Sequence, residues 1–290
     1  ILNEKNVGVP EGLNIGIRHS SGEFIILMNN DVKVTQGWLE NFFNAYKKYG
    51  VALYQPKFLK MTNPEILDGT GDMINIFGFG FARDKGQKDI KEKNNIEEVS
   101  YASGTCMFLP KKIIDDIGYF DKELFAYHEE LDFGWRARLY GYKSFYVPDT
   151  IIHHYGSAGW GWSGKKFYFL ERNRWFVLLK NYSLKTITRL FPSLLFLEII
   201  MLGFFIKKGL LVKKIWSYGS IIRSFNHIRK NRKEIQSRRK ISDEEIMKNF
   251  CYNMYIPPES EESEHLRNFN KILINLARLT GFYQKARFVE

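Results

Sequence analysis

Cysteine is nearly missing from this chain: 290 residues hold two, Cys106 and Cys251. That excludes a disulfide framework and the paired spacing of a zinc knuckle, so a reducing compartment is the default. No signal peptide and no internal repeat is visible. A long uncharged apolar run is also lacking. The best candidate, residues 190–206, spans 17 residues and contains Pro192 and Glu198. A membrane span needs about 20, so this segment reads as an interfacial helix or one packed on a domain. Acids are scarce in one place only. From Lys207 to Lys240 there are 12 Lys/Arg against one acid, Glu234, a local +11 equal to the net charge of the whole chain. A partner attracted by charge would therefore meet this one segment.

The composition is 44% hydrophobic and 16% aromatic, which argues for a packed globule rather than disorder. The length suits one large domain with an appendage. Phe24–Met28 is a continuous apolar run after the Ser21-Gly22 turn. It reads as a strand buried on both faces, as in a parallel α/β sheet. Residues 36–49 predict a helix with Trp38, Leu39, Phe42, Phe43 and Tyr46 on one face. The stretch 68–95, rich in Gly, Lys and Asp, reads as a long mobile loop beside a site. A second helix is predicted from His128 to Tyr140, with an Asp132–Arg136 pair at i, i+4. Two short strands, Ser144–Val147 and Thr150–His153, follow. The alternation predicts an open α/β domain to about residue 182, and then long helices.

Three polar features carry candidate chemistry. Asn29-Asn30-Asp31 follows the apolar strand at its carboxyl end, where open sheets place ligands. Asp31 there could bind a hard divalent cation through oxygen, or form an Asx turn that caps the next helix. Glu129, Glu130 and Asp132 cluster at a helix start. Mutual repulsion could raise one pKa to suit a general base, or the three could be an ordinary acidic first turn. His153-His154 ends a strand and enters a loop containing Trp160 and Trp162, either of which could stack on a sugar face. Adjacent strand side chains point to opposite sides, so only one of the two histidines can face a site. Arg172 and Arg174 lie on an aromatic helix, where they could clamp phosphate or form a solvated stripe.

Taken in order, Asn6–Gly16, Gly22-Glu23, Leu27–Asp31, Tyr101–Cys106, Gly118–Asp121, Glu129–Arg136, Gly141-Tyr142, Pro148, His154–Ser157 and Arg172–Arg174 resemble a family 2 glycosyltransferase of the rhamnosyltransferase-like branch. The resemblance covers about residues 1–182. It implies a GT-A-type, Rossmann-like α/β fold, an open mixed sheet with helices on both faces. The helical, basic extension 183–290 would follow. Members normally begin with a further strand, helix and strand. This chain starts at Ile1 in what reads as the end of a strand, which predicts that such a unit is absent.

By the same resemblance, Asp31 would hold a divalent cation (Mg2+ or Mn2+) with help from His154 rather than His153. Glu130 would be the catalytic base, where the family usually has Asp, with Glu129 and Asp132 beside it. Ser103 and Gly104 would line the sugar and acceptor pocket. Asn14 and Asn29 would lie near the nucleotide, with Trp160, Trp162, Arg172 and Arg174 on donor or acceptor. The implied activity is inverting transfer from a nucleotide-sugar donor to a growing surface glycan, lipid-linked or free. The enzyme would sit at the cytoplasmic face of the cell membrane, its basic segment in peripheral contact with anionic lipid. The alternative is a catalytically incomplete nucleotide- or glycan-binding fragment. Nucleic acid is not expected as a partner, because the aromatics near the basic run do not interleave with Lys/Arg as stacking platforms would.

Overall fold

A computed structural model of the chain describes residues 1–156, 163–258 and 263–283. The predicted α/β alternation is present. In chain order the first elements are α1 (Val9–Arg18), β1 (Phe24–Met28), β2 (Val32–Val34), α2 (Trp38–Tyr49), β3 (Leu53–Lys60), β4 (Asn63–Gly69), β5 (Asp72–Ile74) and β6 (Gly80–Ala82). Next come β7 (Glu97–Val99), β8 (Cys106–Pro110), α3 (Lys111–Ile117), α4 (Glu129–Leu139), β9 (Ser144–His154) and α5 (Gly164–Asn181). The chain continues through α6 (Leu184–Lys207), α7 (Leu211–Arg223), α8 (Phe225–Arg238), α9 (Asp243–Met247) and α10 (Ser263–Thr280).

The main sheet runs β1-β8-β3-β9-β2, with β4 added on β3 and β7 on β9. Within this sheet, among the described residues, β3 and β9 pair in parallel and the other ladders are antiparallel. The sheet is thus mixed. Strand alternation divides its side chains between two cores. Leu53, Met107 and Leu109 join one with Ile113 of α3 and Leu131 of α4. Tyr54, Phe108 and Phe145 join the other with Phe42 and Ala45 of α2. Helices therefore cover both faces. On the α4 side the core continues into the C-terminal helices: Trp135 meets Tyr182 and Phe250 edge-on at 4.6 and 4.8 Å.

Three expectations change. β1 is not buried on both faces. It ends the sheet order, and Ile26 and Met28 are partly exposed while Ile25 and Leu27 are buried. The stretch 68–95 is not one loop, since it completes β4 and supplies β5 and β6. These strands are three residues long or end in buried polar groups, so no hydrophobic period announces them. The two short strands after α4 are one, β9. Its ladder with β3 passes from Val147 directly to Ile151, so residues 148–150, which include Pro148, bulge out of register without ending the strand.

Candidate functional site

The antiparallel register of β2 and β9 sets Val32 opposite His154, and the Tyr155 N–H donates to the Asp31 carbonyl at 2.9 Å. Asp31 and His154 are side by side for that reason. His154 Nδ1–H donates to Asp68 Oδ2 at 2.6 Å, and Asp68 also pairs with Lys85 Nζ at 2.7 Å. Burial works against ionisation of Asp68, but the His154 hydrogen bond and the Lys85 charge outweigh it and hold its pKa below the usual value. The Asp68 carboxylate on Nδ1 orients the ring, and Nε2 lies 3.4 Å from Asp31 Oδ2. Asp31 Oδ1 is buried with no hydrogen-bond partner. The orphaned Asp31 oxygen is a donor that suits a hard cation, with the His154 imidazole beside it as a second potential ligand. Among the described residues, no group of three or more His, Cys, Asp or Glu could hold a metal ion. Such an ion would need oxygens from elsewhere, and Mg2+ commonly takes these from substrate phosphates. The sequence reading missed Asp68, which lay in the supposed loop.

The second half of the site approaches through β8. The Asn29 N–H donates to the Thr105 carbonyl at 3.0 Å, so the end of β1 lies against the 103–105 turn. A methyl group on Gly104 would come within 3.6–3.8 Å of the Glu130 side chain, so the turn in its own right packs on that residue. The 103–105 turn thus meets the end of β1 at Asn29 on one side and Glu130 on the other. Glu130 and Glu129 each have a buried carboxylate oxygen without a partner. Burial raises the pKa of Glu130. Burial, and then the Glu130 charge, hold Glu129 higher still.

The segment that delivers these acids is strained. Phe125, Tyr127 and His128 have φ of 61°, 65° and 67°, conformations that cost side chains other than glycine about 1–3 kcal/mol each. Asn173 holds the segment in place: its Nδ2 donates to the carbonyls of Leu124, Ala126 and Tyr127 at 2.9, 2.8 and 2.7 Å. Arg172 adds a bond to the Glu123 carbonyl at 2.7 Å.

Arg172-Asn173-Arg174 therefore works inward, which corrects the reading of its arginines as a phosphate clamp. Arg172 is buried and bonds Glu123, Asn173 and Ser220. Arg174, 1% exposed, bonds Glu171, Glu198 and the Phe77 carbonyl. Asp132 is likewise removed from the candidate acids. It is fully buried and accepts from Arg136, Asn181 and Lys180. Asn14 spends both ends of its amide on the Phe120 backbone, at 2.9 and 3.0 Å, which ties α1 to the loop after α3. Ser103 is buried, and its N–H donates to Gln55 Oε1 at 2.9 Å. Trp160 and Trp162 lie outside the described residues.

One further acid was missed. Asp72, at the start of β5, is bridged to Tyr101 through the backbone and is 7% exposed. Burial and the Glu130 charge push its pKa up to about 7, against the opposing pull of Gln55 and Ser103. The three carboxyls are therefore coupled, and a charge on Glu130 disfavours ionisation of both Asp72 and Glu129. The folded pKa of Asp72 exceeds that of a free aspartate, so the folded state binds the extra proton. Its ionisation destabilises the fold as pH rises from about 4 toward 7. Asp72→Asn is expected to remove that penalty. Unfolding midpoints of the variant should gain on wild type across this range, and parallel curves would show that Asp72 does not titrate there.

A sequence profile described as glycosyl transferase family group 2 matches residues 24–218. The low-salt glycan biosynthesis hexosyltransferase Agl10 of Haloferax volcanii is 24% identical over 138 residues, 46% of this chain and 44% of the relative. The N-acetylglucosaminyl-diphospho-decaprenol L-rhamnosyltransferase of Mycobacterium tuberculosis is 35% identical over 57 residues, 19% of each chain. The chain therefore spans less than half the length of these curated relatives. Among solved structures, GalNAc-T7 with UDP, GalNAc and Mn2+ aligns at 16% identity and a TM-score of 0.46, over 59% of this chain and 35% of that one. The profile covers most of the chain, including β1 through α6 and both halves of the site, so the chain belongs to glycosyl transferase family group 2.

Proposed function

We propose that the chain catalyses inverting, metal-dependent transfer of a sugar from a nucleotide-diphosphate donor to a hydroxyl of a growing glycan. The observation that carries this reading is the orphaned Glu130 carboxylate, held against the same turn that meets the Asn29–Asp31 strand end. Glu130 takes the acceptor hydroxyl proton as that oxygen attacks the anomeric carbon, and the bond to the donor diphosphate breaks on the opposite face. Asp31 and His154 are the residues that would hold Mg2+ or Mn2+, and Asp68 orients His154. When bound, the cation supplies neutralisation of the charge that develops on the departing diphosphate. Ser103 and Gly104 border the space beside Glu130, where the acceptor hydroxyl would enter. The resemblance to a relative named as an N-acetylglucosaminyl-diphospho-decaprenol L-rhamnosyltransferase supports a lipid-linked acceptor, and with it a place at a membrane surface.

The test is turnover of UDP-, GDP- and dTDP-sugars with Mg2+, with Mn2+ and with EDTA. Asp31→Ala is expected to lose about 100-fold or more. Charge stabilisation by a metal is worth several kcal/mol, and each 1.36 kcal/mol is tenfold in rate. Activity that survives both EDTA and Asp31→Ala would sink the metal role. No turnover with any donor, in a folded chain, would favour a binding protein.

A further inference from the structure

We infer that α6 and α7 together form a flat docking face for an anionic lipid bilayer, and that they lie in the plane of its headgroup layer instead of α6 crossing it. The inference deepens the membrane part of the reading above and is independent of its catalytic part.

On α6, Phe191, Leu195, Ile199 and Ile206 are more than half exposed and recur at a helical period, so they share one stripe. On α7, Val212, Ile215, Trp216 and Ile222 do the same. Such large side chains are normally covered, and a run of them over two adjacent helices marks an interaction surface. The inner faces of both helices meet one buried ion cluster. Glu198 of α6 pairs with Arg174 of α5 at 2.9 Å and with Lys214 of α7, and Tyr218 of α7 donates to it at 2.6 Å. Glu171 of α5 completes the cluster, two carboxylates with two cations. Each helix buries its other side, Leu190, Ser193 and Leu197 on α6 and Lys214 and Ser217 on α7, so the stripes are the faces turned out of the protein.

The same cluster decides orientation. α6 is, among the described residues, the one helix long and apolar enough to cross a membrane. Yet Glu198 is bound from within its span to three residues of α5 and α7, Arg174, Trp175 and Lys214. A crossing α6 would drag that cluster and the domain behind it to bilayer depth, where charged groups are costly. Lying flat, α6 keeps Glu198 in the protein and puts only its apolar stripe into lipid. Charge selects the lipid. Lys207 and Lys208 are exposed at the α6–α7 turn, and Arg223, Arg229 and Lys230 are exposed just beyond, a flank complementary to anionic headgroups.

The experiment uses the full chain with vesicles of phosphatidylcholine alone or with 30% phosphatidylglycerol. Sedimentation should show at least about tenfold tighter binding to the anionic vesicles. Ile199→Glu combined with Ile215→Glu, both at exposed positions, should lose about tenfold or more, and so should Lys207→Glu with Lys208→Glu. A nitroxide on Ile199→Cys should report a depth of about 5–10 Å. A depth near the midplane, about 15 Å in a 30 Å core, would overturn the in-plane orientation. Equal binding to both vesicles, no binding, or binding that the double glutamate leaves unchanged would overturn the lipid face. So would a concentration-dependent dimer that the double glutamate dissociates. Donor hydrolysis in solution is scored separately, so a failed transferase and a failed membrane face give different results.

Discussion

Glu130→Gln is expected to lower sugar transfer by about 10²–10⁴-fold, the usual contribution of a positioned general base. Glutamine keeps the shape of the side chain against Gly104 but can no longer accept the acceptor's proton. The variant should not be less stable. Burial raises the pKa of Glu130, so the folded state resists its ionisation and removing the charge relieves that cost. The Glu130 charge also helps to raise the pKa of Asp72 and Glu129, so in the variant both should ionise at lower pH. Lost turnover with an unchanged or higher unfolding midpoint would assign Glu130 to chemistry. A variant that keeps more than a tenth of wild-type kcat would remove it from the mechanism, and Glu129 would be the next carboxylate to test.

Lys180→Met should give the largest loss of stability. Lys180 is 1% exposed, and its ammonium lies 3.0 Å from Asp132 and 2.5 Å from Asp121, two acids that are themselves buried. Methionine fills the same volume but leaves both carboxylates short of a cation, and breaking a buried pair from one side costs about 3–5 kcal/mol. A whole domain is stable by only about 5–15 kcal/mol. The effect depends on pH. Burial alone would raise the Asp121 pKa, but the charges of Lys180 and His227 hold it far below the usual value. A depressed carboxylate stabilises the fold above its unfolded pKa, and that contribution is lost as pH falls through the folded pKa. The gap between wild type and Lys180→Met should therefore be widest near neutrality and narrow on acidification. Urea midpoints at pH 7, pH 4 and pH 2 measure this, with the narrowing expected below pH 4, and a gap unchanged down to pH 2 would refute the charge argument.

Several parts of this protein were legible in the sequence because they depend on local rules. An apolar run followed by Asn29–Asp31 gives a strand with a polar end, and strand alternation permits only one of His153 and His154 to face Asp31. The acids of residues 129–132 mark the start of α4, where the N-terminal dipole favours them. Burial on both sheet faces, read from the same apolar run, was misjudged for β1 because composition does not say which strand ends a sheet. The direction of a polar side chain was also beyond local reading. Asp132 and Glu130 are two residues apart on one helix, so they point to different sides, and only the packing of α5 made one a structural anchor and left the other orphaned. Arg172 and Arg174 carry the charge a phosphate site needs. Glu171 is one turn before Arg174, but their other partners, Glu123, Ser220 and Glu198, lie far away in the chain and no period in the sequence links them. Asp68 and Asp72 sat in a stretch without pattern and took their places only once β4 paired with β3 and β5 paired with β6. Local chemistry determined which groups this chain has to offer. Burial and long-range pairing decided which of them remain available, because a charge that finds a partner inside the protein is no longer free to act on a substrate.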